Sequence, residues 1–395
     1  MNIVKQMRRA NAFGFFACLN ITDAVWVVLL AARGFPLWQI GMAEAIFHVV
    51  SLVFEIPSGM AADLLGRRRS LAAAGLCSAA ASLFMAFGHG FFSVCMCMAL
   101  AALGGNFISG SDEALIYDSL IQCGRDDEYI KRSARYTQWQ NIGATLSNFA
   151  SLLTAFMGYV GFYLVDAALS MGRFFCALSL AEPTVTKAQR ERTESPFAKL
   201  RERFRAHRRQ MLGFLRESPA LVRLMLADGL INLPCYLTLM FLQKRLEELG
   251  LNTMWLGLPI MCVSLSRAIG VAVGEKLHPG SLRRFYVLCA FIVAVGTVTA
   301  GWAPIGAAIP GAMLAAAAMD AWTLHLHRHL NKRFPSDQRA SLVSVNAMAY
   351  SLLMIPASPI VGALGDLGYG SGLGLCALGL AVALGAAAAA LKNKI

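Results

Sequence analysis

The chain has 395 residues, of which 57% are hydrophobic and only 15% charged. Soluble domains carry about 25% charged residues, so the composition excludes an ordinary water-soluble enzyme or binding module. A net charge of +12 would suit a nucleic-acid binder, but it is concentrated in short segments between long apolar ones, which excludes that class too.

A helix needs about 20 apolar residues to cross a bilayer. About twelve stretches meet that need: 12–32, 39–61, 70–88, 91–117, 137–157, 159–181, 219–243, 254–274, 285–302, 305–326, 341–362 and 371–391. The first carries Asn20 and Asp23 and no clear small-residue cleavage site, so it reads as a retained span. At about 100° per residue, Glu44, His48, Ser51, Glu55 and Ser58 share one line along the second. Asn106, Gly110, Glu113 and Tyr117 line the fourth, with Asp112 beside them, and Gln138, Asn141, Thr145 and Asn148 line the fifth. Asp166 and Arg173 lie seven apart on the sixth and are expected to form an ion pair. The later spans carry Asp228 and Asn232, then Arg267, Asp320, Asn346 and Tyr350, and Arg267 can neutralise either Asp228 or Asp320.

Each ionisable group costs at least about 2.5–3.5 kcal/mol near the middle of a span, and lipid cannot solvate a polar stripe. Such residues therefore face a cavity or bind one another across helices. The substrate-cavity candidates are Asn20, His48, Asn106, Tyr117, Gln138, Asn141, Asn148, Asp228, Asn232, Arg267, Asp320, Asn346 and Tyr350. Burial disfavours a charged carboxylate, which lets it load and release a proton near neutral pH. That makes Asp23, Glu44, Glu55, Asp112 and Glu113 the candidates for proton coupling. Alternate residues do not share a helix face, so His325, His327 and His329 are not expected to bind metal. No cofactor is expected. The cysteines lie mostly inside apolar stretches without any CxxC and read as small packing residues.

With the N-terminus inside, about 29 of the 35 Lys and Arg fall in cytoplasmic loops, against Arg33, Lys244 and Arg245 outside. This is the positive-inside pattern, and it puts both termini in the cytoplasm. The long segment 182–218 divides the chain into 1–181 and 219–395, six spans each. Within it, Phe197 to Leu215 reads as a basic amphipathic helix on the anionic inner leaflet, or else as a disordered basic linker. The halves look like degenerate repeats: Asp63 follows span two and Glu275 span eight, while Glu113 lies in span four and Asp320 in span ten. The expected fold is all-α and integral to the membrane, with two pseudo-symmetric six-helix bundles.

Residues 59–71, GMAADLLGRRRSL, make a tight charged turn between spans two and three, with Gly59, Asp63, Gly66, Arg67 and Arg68 at fixed spacing. This spacing resembles the signature loop of the major facilitator superfamily. EIPSG before it and SGSDEALIYDSL at 109–120 are similar to a bacterial subgroup that includes drug and metabolite exporters. The resemblance implies that Asp63 caps a helix of the opposite half, that Arg67 pairs with Asp118, and that these contacts lock a cytoplasmic gate. The Arg about twenty residues before the Asp118 position and the Gly-Pro-rich end of span five, both marks of drug–proton antiporters, are absent.

No phosphate loop, Ser/His/Asp elbow or HExxH is present, so no enzyme is expected. The expected function is secondary active transport by alternating access, with proton-coupled efflux of a small amphiphilic compound or drug. The alternative is proton-coupled import of a small polar metabolite. The expected partners are a small-molecule substrate, protons and the lipid bilayer, not nucleic acid, and the expected state is a monomer in the cell (inner or plasma) membrane.

Overall fold

The computed structural model describes residues 1–184, 219–333, 336–367 and 370–391. Every regular element among them is helical. In chain order these are α1 Ile3–Ala17, α2 Trp26–Ala32, α3 Leu37–Leu65, α4 Arg67–Phe87, α5 Gly90–Ile108, α6 Ser111–Gln122, α7 Tyr129–Phe149 and α8 Thr154–Ser179. They continue as α9 Pro219–Glu248, α10 Gly257–Lys276, α11 Leu282–Trp302, α12 Ile305–Arg333, α13 Ser336–Gly365 and α14 Ser371–Leu391. A helix satisfies its backbone within one segment, the one solution open to a single stretch crossing hydrocarbon. That tolerance extends to Pro57, Pro234, Pro310, Pro356 and Pro359, all inside helices.

Among the described residues, ten helical runs are long and apolar enough to cross a membrane, by length and composition. Two departures from the twelve expected stretches account for the difference. The first stretch is broken: α1 ends at Ala17, α2 starts at Trp26, and residues 18–25 are not helical. The fifth and sixth run together through a 3-10 turn, Ala150–Leu153, with a kink at Gly158, whose φ is 60°. The fourth stretch also breaks, at Gly110, with φ of 70°. The expected line Asn106, Gly110, Glu113, Tyr117 is therefore not one helix face, because α5 and α6 point their residues independently.

The chain divides into two compact units, Met1–Asp23 with Val49–Arg209, and Ala24–His48 with Gln210–Ile395. In the first, α4 packs on α5 and α8, and α1 on α7 and α8. Its core gathers Phe13, Leu71, Leu115, Leu120 and Tyr136. In the second, α11 packs on α12 and α14, and α12 on α10. Small residues allow the close approaches, as in membrane interfaces generally. A Cβ on Gly41 would run into the Ser358 carbonyl of α13, and one on Gly362 into the Leu37 carbonyl of α3.

The expected Asp166–Arg173 ion pair does not form. Residues seven apart are separated by about 10.5 Å along a helix, too far for an Asp to bridge. Both side chains instead hold the broken segment. Arg173 donates to the carbonyls of Phe16 and Ala17 and to Asn20 Oδ1, at 2.8–3.3 Å, and to Ser78 Oγ at 2.8 Å. Asp166 accepts from Ile21 N at 3.2 Å and Ser82 Oγ at 2.6 Å. The basic segment 197–215 and the Asp63 side chain lie outside the described residues.

Candidate functional site

Of the expected turn, residues 59–65 finish α3 and 67–71 open α4, so the chain turns at Gly66, whose φ of 106° suits a residue without Cβ and which caps α4. Arg67 pairs with Asp118 of α6, and Arg68 donates to the Leu178 carbonyl at the end of α8 at 2.6 Å. The first backbone N–H groups of α4 are met by Glu182, which accepts from Arg67 N at 2.9 Å and Arg68 N at 2.7 Å. A carboxylate there complements the helix dipole. The turn thus braces α4 against α6 and α8, with Gly59 exposed one turn before Asp63.

Of the five acids considered for proton coupling, two are buried. Asp112 accepts from Tyr136 Oη at 2.8 Å and from Glu113 N at 2.8 Å. Glu44, 1% exposed, lies 3.3 Å from His48 Nε2 one turn on. Glu113 and Asp23 are exposed, and Glu55 is half-buried. On the far side of His48, Nδ1 is 3.2 Å from Ser351 Oγ, and its ring meets those of Tyr350 and Tyr236 at 5.5 and 6.4 Å.

Those two tyrosines also line a cavity of about 570 Å³ inside the second unit. Asp228 anchors one end of it. Its carboxylate accepts from Asn232 Nδ2 at 3.0 Å, Trp322 Nε1 at 3.1 Å and Asn346 Nδ2 at 3.0 Å. Arg267 also lines the cavity, half-exposed and held to Asp320 by Nε at 2.8 Å and a terminal nitrogen at 3.2 Å. Of its two possible partners, Arg267 takes Asp320. The remaining lining is mostly apolar, including Leu239, Val263 and Met319.

The first unit holds the other candidates. Asn106 exchanges bonds with Ser51, donating to its carbonyl at 2.9 Å and accepting from its hydroxyl at 3.1 Å. Asn20 accepts from Arg173 and, through its carbonyl, from Ser147. Gln138 and Asn141 are exposed on α7, Asn148 is half-buried, and Tyr117 is exposed against the Tyr129 ring. His325 sits 2.9 Å from the Gly274 carbonyl. No group of three His, Cys, Asp or Glu among the described residues could hold a metal ion.

A profile of the Major Facilitator Superfamily matches residues 11–355. The chain belongs to that superfamily. Solved structures with the same fold include the nucleoside transporter NupG (15% identical, covering 100% of both chains, TM-score 0.73) and a D-xylose-proton symporter (14%, 98% of this chain and 97% of that one, 0.72). An uncharacterized MFS-type transporter, YxaM, of Bacillus subtilis (strain 168) is 28% identical over 120 residues, 30% of this chain. The match spans 29% of that relative's length. This superfamily member is a multi-pass protein of the cell membrane.

Three helix-start contacts of this superfamily member were not foreseen from the sequence. Glu182 at the start of α4 is one. Asp366 is a second: it accepts from Leu37 N at 2.9 Å and Trp38 N at 2.8 Å, capping α3 from 328 residues away. Glu248 repeats the device at α14, accepting from Ser371 N at 3.1 Å and its hydroxyl at 2.9 Å. An acid just past an apolar stretch was the available signal, but nothing local names its partner.

Proposed function

We propose that the protein is a secondary active transporter working by alternating access, with twelve crossings in two six-helix halves, 1–181 and 219–395, joined by a cytoplasmic linker at 182–218. It exports a small amphiphilic compound in exchange for protons. The observation that supports this is the cavity of the second unit, apolar along most of its wall, with Asp228 and the Arg267–Asp320 pair set into it. Beside that wall, Glu44 and His48 form a buried pair that a proton can occupy. The signature turn, through Arg67 and Asp118, serves as the cytoplasmic latch.

The test is proton movement on addition of substrate to proteoliposomes, with Glu44→Gln as the diagnostic variant. Glu44→Gln should abolish proton-driven accumulation while leaving exchange of labelled for unlabelled substrate. Unchanged coupling would remove Glu44 from the mechanism. A second reading, proton-coupled import of a polar metabolite, is favoured by the fold shared with a nucleoside transporter and a D-xylose-proton symporter. Accumulation in cells separates the two: export predicts less compound retained on expression, and import predicts more.

A further inference from the structure

We propose that the cavity of the second unit selects a protonated amine carried on an apolar or aromatic body. This rests on reading that cavity as the substrate site and names the class of substrate it takes. The argument begins with the donors around Asp228. Asn232, Asn346 and Trp322 each direct a side-chain N–H at its carboxylate. A carboxylate is acceptor-only when ionised, so the orientation of both amides is set by chemistry. With each NH2 turned to Asp228, the amides have their carbonyl oxygens left to offer. Asn346 Oδ1 is in fact buried at this wall with no hydrogen-bond partner. Trp322 has nothing further to donate. This end of the cavity therefore places an unpartnered acceptor beside a carboxylate that forms no ion pair among the described residues, which suits a ligand that brings donors.

The charge inventory agrees. Arg267 is matched by Asp320, so the pair contributes no net charge. Asp228 then stands without a cationic partner among the ion pairs of the described residues. His327 lines the same cavity, and the Glu44–His48 pair sits behind Tyr350. Two carboxylates, Asp228 in the lining and Asp320 paired to the lining Arg267, then stand against one guanidinium. In a low-dielectric setting that imbalance attracts a cation far more strongly than water would allow. Tyr236 and Tyr350 add ring faces suited to an ammonium group. Leu239, Val263 and Met319 supply the apolar wall for its body. The opposing feature is the remaining NH2 group of Arg267, which would favour a carboxylate instead.

The experiment uses the purified full-length protein in phosphatidylcholine nanodiscs and three probes of one shape: 4-phenylbutylamine, 4-phenylbutanol and 4-phenylbutyrate. Binding is read by calorimetry. The amine should bind about tenfold or more tightly than the alcohol, a ratio typical of one charge-assisted hydrogen bond, and the carboxylate least of all. Asp228→Asn should erase the preference for amine over alcohol. If that variant does not fold, Asn346→Leu should reduce amine binding while sparing the alcohol. Equal affinity for amine and alcohol, tightest binding of the carboxylate, or no amine binding at millimolar concentration overturns the proposal. The readout needs no transport. Amines that bind selectively but are not moved in proteoliposomes would sink the transport reading alone, and probes moved without preference for the amine would sink this one alone.

Discussion

Arg173 donates five hydrogen bonds, and four of them reach the last carbonyls of α1 or the Asn20 side chain. A helix that stops leaves its last carbonyls without partners, and a buried unsatisfied acceptor costs about 1–3 kcal/mol. Arg173→Gln should therefore lower stability by about 3 kcal/mol, seen as a reduced unfolding temperature in detergent. Arg173→Lys should recover only part of that, because an ammonium lacks the planar fork. Asp166→Asn should cost about 1 kcal/mol, since Asn still offers Ile21 N an acceptor. If Asp166→Asn proved the more damaging, the pair would matter as charges rather than as clamps. The sequence made it plain that two buried charges needed partners. It hid the identity of those partners, because residues 18–25 contain neither Gly nor Pro to announce a break. Asn20 and Asp23, which compete for backbone groups, were the faint local signal.

At the scale of elements, one device recurs: a distant carboxylate at the start of a helix. Glu182 serves α4, Asp366 serves α3, and Glu248 serves α14. Each meets N–H groups that the helix cannot satisfy itself and complements its dipole. Asp366→Ala should cost about 1 kcal/mol, the ordinary scale of a lost N-cap. Gly41→Val should cost about 1–3 kcal/mol through overpacking, because the Ser358 carbonyl occupies the space a side chain would need. Both changes act on the contact between α3 and α13, so their effects should not add, and a double-mutant cycle in chemical unfolding reads the coupling. Additive losses would mean that the cap and the close approach are independent. Helices, their apolar lengths and the polar stripe of α3 were legible in the sequence because periodicity is local. The caps were not, because each joins residues more than a hundred positions apart.

For the whole molecule, the discrepancy between twelve expected crossings and ten continuous runs among the described residues turns on two places, 12–32 and 126–179. Charge decides what each must do. Arg8 and Arg9 lie before the first stretch and Arg33 just after it, and Arg67 to Arg69 follow the second. If the basic clusters stay inside, residues 12–32 cross despite their break, which Arg173 and Asp166 make tolerable by meeting the freed backbone groups. If Arg125 to Arg135 and the segment after Ala181 also lie inside, 126–179 would cross an even number of times. Its reversal would then fall near Gly158, with Phe156 beside it 83% exposed. Single cysteines placed at Arg33, Phe156 and Asn252 should react with an impermeant maleimide added to intact cells. Cysteines at Arg69 and Arg125 should react only after the membrane is opened. Labelling of Phe156→Cys from the inside would leave 126–179 as a segment that does not cross twice. Inside labelling of Arg33→Cys would mean that the first stretch stays on one face, and with one crossing gone every later loop would have to exchange sides against its own charge.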